Sequence, residues 1–342
     1  MKKKAIIAVL LAAVGVMLLA GCTKEHTHTY AEYGYDGEQH WQYCKEDSKI
    51  AGGSYAEHTF TNGSCVCGAT FSEKIPFTEG AVSTLVLDHG EIRRDGLAIY
   101  TTIYYPGVQK HQYPTIIMSH GFNGTSSRFD GDARFFAEQG FVVVTFDFCG
   151  GGTKSRSEGT IQAASVLTES EDLNAVIDYM KSEDYVDTNN LFLFGQSQGG
   201  YVSAYTAAQR VDEVKGLMLF FPALCISDDV LSKYSLEEIN ALDDEAEIQW
   251  MSLMVGKAYL ADPVSVDIYA VLKQYTKEVI ICHGDKDTTV DLSYSQKATD
   301  PAQGFLNATL YTMEGQGHGF SGAVRETANQ YLLEYIRNQM SK

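Results

Sequence analysis

From about Pro76 onward, short apolar runs rich in branched and aromatic residues alternate with longer stretches whose apolar positions recur every three or four residues. The short runs Val82–Leu87, Ala98–Tyr104, Thr115–Ser119, Phe141–Phe146, Leu191–Phe194, Gly216–Phe221, Glu278–Cys282 and Ala308–Met313 read as strands. Thr168–Lys181 carries Leu173, Val176, Ile177 and Met180 on one helical face, with acidic residues in its first turn where the helix dipole favours them. Val324–Gln339 repeats that pattern near the C-terminus. The alternation predicts an α/β fold, a mostly parallel eight-stranded sheet with helices on both faces. The first strands lack intervening helices, so that end of the sheet is expected to be antiparallel. Between the sixth and seventh strands lies an insertion of mixed helical pattern, Cys225–Gln274, containing Trp250, Met251, Leu253, Met254 and Tyr259.

The N-terminal residues follow a different rule. Lys2, Lys3 and Lys4 precede an unbroken apolar run, Ala5–Ala20, which is too short for an ordinary transmembrane helix and reads as a signal peptide over residues 1–21. Leu19-Ala20-Gly21-Cys22 resembles a bacterial lipobox. The resemblance implies lipidation of Cys22 and an extracytoplasmic enzyme, lipid-anchored to the cell membrane. A plain signal peptide that ends near a cysteine is the alternative.

Residues 22–74 hold four histidines (His26, His28, His40, His58) and, beyond Cys22, three cysteines (Cys44, Cys65, Cys67), among Gly, Ser, Thr and Tyr. Branched aliphatics are nearly absent, so the segment cannot build a hydrophobic core of its own. His40, Cys44, His58, Cys65 and Cys67 supply enough nitrogen and sulfur ligands for a structural zinc. A disulfide from Cys44 to Cys65 or Cys67, or a disordered stalk, are the other readings. The segment resembles small His/Cys modules of bacterial surface proteins. It departs from them at Asp47, which stands where a second cysteine is expected, and in the shortened Cys65-Val66-Cys67 pair.

Charge narrows the partners. The chain carries −18, or −21 without the three leader lysines, and is therefore repelled by nucleic acid and anionic lipid. Seven cysteines in so long a chain do not form a disulfide framework.

The chemistry sits in residues 75–342. The buried-strand run Leu191–Phe194 delivers Gly195-Gln196-Ser197-Gln198-Gly199, followed by a helix of small residues. A nucleophile elbow needs that order, strand then sharp turn then helix, with glycines where side chains have no room. Val279–Cys282 leads into His283-Gly284-Asp285-Lys286-Asp287-Thr288-Thr289-Val290, and the last strand leads into Gly315-Gln316-Gly317-His318-Gly319. Nucleophile, acid and histidine thus follow one another as Ser197, Asp287 and His318. Asp285 competes with Asp287, but the match to the catalytic-loop motif HGxxDxxV selects Asp287 and leaves Asp285 to cap the turn. His120-Gly121-Phe122 after the strand Thr115–Ser119 matches an oxyanion loop, with Phe122 and Gln198 as backbone N–H donors and His120 as a structural or gating group.

The stretch Ser119–Gly124, the strand Val143–Phe148, Glu171–Ile177, the elbow and HGDKD together resemble the cinnamoyl/feruloyl esterase branch of the α/β-hydrolases. The resemblance spans nearly all of the chain from Pro76 and implies the α/β-hydrolase fold, with residues 225–274 as a cap over an acyl pocket. It implies a serine esterase acting on small-molecule or polysaccharide-linked esters, with no cofactor in catalysis. One departure touches specificity: Cys149-Gly150-Gly151-Gly152 stands where relatives carry R-G-H-G, which predicts an emptier rim. A serine peptidase or acyl-peptide hydrolase would use the same triad. A surface-binding role led by the His/Cys module is the reading from outside enzymology.

Overall fold

A computed structural model describes residues 27–342; the expected leader and Cys22 lie outside the described residues. The eight expected strands form one sheet. Its spatial order is Ala308–Met313, Val279–Gly284, Gly216–Phe220, Val186–Gln196, Tyr113–Ser119, Val142–Phe146, Thr101–Tyr105 and Ser83–Leu87. The first six run parallel, and the last two are antiparallel to their neighbours, because no helix intervenes there to bring the chain back to the same edge.

Side-chain alternation along these strands builds two cores, one on each face of the sheet. Ile117, Val144, Leu193, Leu219 and Ile281 face the helices Val166–Ser182 and Gln198–Gln209, where they meet Leu173, Ile177, Val202 and Ala207. Ile116, Met118, Phe192, Phe194, Met218 and Ile280 face the opposite way. They pack against Phe136 of the helix Asp130–Glu138 and Leu332 and Ile336 of the helix Gly322–Met340. Ser165 closes the first turn of Val166–Ser182 by accepting from the Leu167 and Thr168 amides, so this helix begins two residues before the expected start at Thr168.

The insertion differs from its expected helical reading. Helices Ile226–Leu231, Leu236–Ala241, Lys257–Ser265 and Ile268–Leu272 surround a β-hairpin, Ile248–Trp250 paired with Leu253–Val255. Ile248 and Trp250 alternate with exposed Gln249, a period-2 pattern too short to stand out in sequence. With Val230, Ile239, Tyr259 and Leu260 the hairpin encloses a third, separate core, so the cap is a packed unit.

The His/Cys segment forms a small antiparallel sheet of Glu32–Tyr35, Gln39–Tyr43 and Ala56–Glu57. It sits against the hydrolase body through Glu38–Lys110 at 2.6 Å, Ser72–Asp184 at 2.9 Å and Lys74–Glu183 at 2.7 Å. Among the described residues, no helix is long and apolar enough to cross a membrane.

Candidate active site

Ser197 stands at the turn between the strand Val186–Gln196 and the helix Gln198–Gln209, with φ 54° and ψ −125°. A positive φ at a residue with a Cβ is strained, and the surroundings hold it. The Ser197 amide donates to Phe220 O at 3.0 Å, and its carbonyl accepts from Gly200 at 2.9 Å and Ala223 at 2.9 Å. Glycine is required on both sides for space: a Cβ on Gly195 would collide with the Gly199 carbonyl, and one on Gly199 with the Ser119 carbonyl.

His318 reaches the serine from the loop after the last strand. Its Nε2 lies 3.0 Å from Ser197 Oγ and its Nδ1 2.7 Å from Asp287 Oδ2. The Asp287 carboxylate only accepts, so Nδ1 carries a proton and Nε2 is the nitrogen that faces the hydroxyl. Phe221 meets the imidazole edge-on at 4.7 Å between ring centres. The other Asp287 oxygen receives the Thr289 amide at 2.8 Å and the Val290 amide at 2.9 Å.

Asp285 does not cap this turn as expected. Asp287 takes the loop's amides, and Asp285 instead accepts from Gly315 N at 2.6 Å, tying the loop of Asp287 to the loop of His318. Sequence reasoning also passed over His283. Its Nε2 meets Val290 O at 2.9 Å and its Nδ1 meets Ser295 Oγ at 2.7 Å. A carbonyl cannot donate, so the His283 proton is on Nε2, and Val290 is held at both its N–H and its C=O. Burial lowers the His283 pKa, which keeps the ring neutral beside Asp287.

Phe122 and Gln198 border the same cleft as Ser197. Gly121 approaches the serine so closely that a Cβ there would lie 3.4 Å from Ser197 Oγ. His120 is fully buried; its Nε2 accepts from Phe148 N at 3.1 Å, so its Nδ1–H donates to Gly121 O at 2.9 Å. The ring pins the Gly121-Phe122 backbone and lies outside the cleft's lining. Gln198 N is the first amide of its helix and has no acceptor within it.

Beneath Gln198 lies a polar trio that no sequence motif announced. Gln198 Nε2 donates at 2.8 Å to both oxygens of buried Glu169, and Tyr259 of the cap donates from its hydroxyl to Gln198 Oε1 at 2.7 Å. Burial pushes the Glu169 carboxyl up to about 8, against the Gln198 hydrogen bonds and with help from the nearby Asp172 charge. Glu169 lies on the buried stripe of its helix, where an acidic residue in a first turn reads equally well as a dipole partner.

The cleft has a volume of about 900 Å³ and is lined by apolar Phe122, Phe221, Trp250, Met251 and Tyr259 and by charged Arg325, Lys233 and Asp229. Met254, although part of the insertion expected to cap the acyl pocket, is not on this lining; it occupies an exposed position between buried Leu253 and Val255 on the hairpin. Arg325 is largely neutralised by a two-pronged bond to Asp132 at 2.9 and 2.6 Å. The Gly150-Gly151-Gly152 run does not leave the emptier rim that its composition predicted. Each glycine is pressed against a neighbour (Thr160, Phe148 and Asn123 respectively), and none lines the cleft.

Of the candidate zinc ligands, His40, His58, Cys65 and Cys67 come together, while Cys44 groups with His28 and Asp47. The expected fifth member therefore belongs elsewhere. Cys65 and Cys67 are free thiols in the structure, so neither forms the disulfide with Cys44 considered as an alternative.

A family model described as serine aminopeptidase, S33, matches residues 110–243, a stretch that holds Ser197 but stops before Asp287 and His318. The bifunctional esterase/perhydrolase of Acinetobacter calcoaceticus is 25% identical over 275 residues, covering 69% of this chain and 96% of that protein. Among solved structures, Est1E from Butyrivibrio proteoclasticus with ferulic acid bound superposes with a TM-score of 0.63 at 24% identity, over 73% of this chain and 99% of that one. DcsB in complex with its substrate analogue gives 0.60 at 21% identity, over 75% and 100%. The sheet order and these likenesses show the α/β-hydrolase fold.

Proposed function

We propose that this enzyme cleaves carboxylic esters through an acyl-enzyme on Ser197, with an aryl-acyl group, of the hydroxycinnamoyl kind, as its preferred acyl part. The observation that carries the reading is the continuous bond path from Asp287 through His318 to Ser197, at 2.7 and 3.0 Å. His318 Nε2 takes the Ser197 proton as Oγ attacks the ester carbon. The Phe122 and Gln198 amides receive the negative oxygen of the tetrahedral intermediate. Collapse expels the alcohol with the proton from His318, and water then enters by the same route to release the acid. Asp287 fixes the Nδ1–H tautomer and stabilises the imidazolium that forms.

The aryl-acyl preference is supported by the aromatic wall of Phe122, Trp250 and Tyr259, and by the likeness to Est1E, a protein solved with ferulic acid. An aminopeptidase reading has one observation of its own: Asp229 is an exposed carboxylate on the cleft, a counter-charge for a free amine. The decisive experiment is labelling by a fluorophosphonate, followed by rates on methyl ferulate, p-nitrophenyl acetate and aminoacyl anilides. Labelling at Ser197 with methyl ferulate as the best substrate is the expected result. No label at Ser197 overturns the mechanism, and preference for the anilides overturns the substrate class.

Anchoring through a lipidated Cys22 belongs to the same proposal and rests on the lipobox pattern. Cys22→Ala is expected to leave the membrane fraction; unchanged fractionation with equal mature mass removes this part.

A further inference from the structure

We infer that His40, His58, Cys65 and Cys67 form a closed, tetrahedral zinc site that holds the N-terminal module together and takes no part in hydrolysis. This assignment is independent of the proposed ester chemistry. The four ligand atoms all lie within 4.8 Å of one another. Cys65 Sγ is 3.6 Å from His40 Nδ1, and Cys67 Sγ is 3.5 Å from His58 Nδ1. A tetrahedron with metal–nitrogen bonds of about 2.0 Å and metal–sulfur bonds of about 2.3 Å has edges of roughly 3.5 Å between unlike ligands, so both pairs already stand at coordination spacing.

The backbone explains the convergence of ligands so far apart in sequence. His40 lies on the middle strand of the module, opposite Ala56, and His58 follows directly on the strand that Ala56 begins. The thiols come from a double turn. Thr61 and Ser64 exchange backbone bonds of 2.9 and 3.2 Å around Asn62 and Gly63, both at positive φ. Gly68, at φ 91°, then donates to Cys65 O at 3.0 Å. That second turn bends Cys65-Val66-Cys67 so that its two sulfurs share a side despite a spacing one residue shorter than usual.

The protonation pattern fits a metal. His58 Nε2 is 2.9 Å from Asp36 O, a group that can only accept, so its proton is on Nε2 and the lone pair of Nδ1 faces Cys67. A second partner that fixes a ligating histidine in this way is the usual support of a zinc-bound imidazole. His58 and Cys65 are both buried, in a module with few other buried apolar side chains. With four protein ligands no position is left for water, which makes the site structural. It needs the metal because so small a sheet encloses too little apolar surface to fold by itself. His58 also meets His111 of the hydrolase body ring to ring at 6.3 Å, and His111 in turn bonds Thr70 O at 2.8 Å, so order at the metal extends to the seam between the parts.

The test uses the full chain. Bound zinc is counted by mass spectrometry, then replaced by Co²⁺, whose thiolate charge-transfer and tetrahedral visible bands report the ligands directly. Wild-type protein is expected to show both sets of bands, and Cys65→Ser with Cys67→Ser to lose one zinc equivalent and the thiolate bands. Cys44→Ser is expected to keep them. Far-UV circular dichroism checks that each variant retains the hydrolase body. Should the double variant not fold, chelation of the wild type and reconstitution with Co²⁺ gives the same spectral answer. Wild-type protein without cobalt–thiolate absorption overturns the site, as does a spectrum that vanishes in Cys44→Ser and survives in the double variant.

Discussion

The side-chain amide of Gln198 is shared between both carboxyl oxygens of Glu169, 2.8 Å from each, at a depth where neither residue reaches solvent appreciably. Gln198 directly follows Ser197, and its backbone N–H is one of the two proposed oxyanion donors. Glu169 is thus placed to act only through another residue, as a positioning group, which its substitution tests. Glu169→Ala leaves the amide unsatisfied and opens a cavity, at a cost of about 1–3 kcal/mol in stability. It is also expected to lower kcat about tenfold, roughly 1.4 kcal/mol of barrier, with KM little changed. Glu169→Gln keeps the volume and one acceptor and is expected to recover most of kcat. Equal rises in KM and falls in kcat, without rescue by glutamine, would show a general loss of structure instead.

The same carboxyl sets a pH dependence. Burial raises Glu169 from its ordinary 4.5 to about 8, and burial raises Asp172 from 3.8 to about 6 despite its bond to Arg94. Between the unfolded and folded values the native state holds a proton that the unfolded chain has released, so stability falls as pH rises. These contributions are intact below about pH 4, decline through the range up to about 8, and then level off. Thermal unfolding is expected to show a Tm that drops between pH 5 and 8 in the wild type and drops less in Glu169→Gln. A Tm that climbs over this range, or a slope identical in the variant, contradicts the assignment.

Ser197→Ala separates chemistry from folding. Alanine carries the same Cβ as serine, so the left-handed φ of 54° is no harder to hold, and the melting temperature is expected to stay within about 2 °C. Hydrolysis is expected to fall by about 10⁴ to 10⁶ in kcat, the size of loss usual for a missing nucleophile. Activity within tenfold of wild type would place the nucleophile elsewhere.

The sheet was legible because its strands announce themselves by composition and its long helices by period. The turn at Ser197 was legible because two glycines are forced by backbone contacts that no other residue could make. Ser197, Asp287 and His318 were named from chain order and loop pattern, and the structure brings these three within hydrogen-bonding distance. What sequence could not yield depends on contacts between distant segments. Glu169 and Gln198 are 29 residues apart, and nothing local marks their pairing. Asp285 was read as a local cap because Asp in a turn usually is one, whereas its partner Gly315 lies on another loop. The Gly150–Gly152 run illustrates the same limit from the other side. Small residues suggested open space, but these glycines are small because the chain around Thr160, Phe148 and Asn123 already fills it.

The cap offers the sharpest test of substrate choice. Trp250 is buried in the cap's own core, yet one side borders the cleft, where its ring lies 6.0 Å from that of Tyr259 and 4.1 Å from the Lys233 ammonium. The Lys233 charge over the indole face fixes the ring's orientation at the cleft, which both side chains line. Contacts to a non-reacting part of the substrate raise kcat/KM by about tenfold for each 1.4 kcal/mol retained in the transition state. Trp250→Ala is therefore expected to lower kcat/KM on methyl ferulate by about tenfold or more, and on p-nitrophenyl acetate by much less, because an acetyl group hardly reaches the cap. Met254→Ala serves as the contrast. That side chain is 38% exposed and is absent from the cleft's lining, so neither substrate should respond to its loss. If Trp250→Ala depresses both esters equally, the tryptophan supports the cap's fold and does not read the acyl group. If Met254→Ala reproduces the selective loss, the hairpin presents its other face to the substrate and the pocket assignment is wrong.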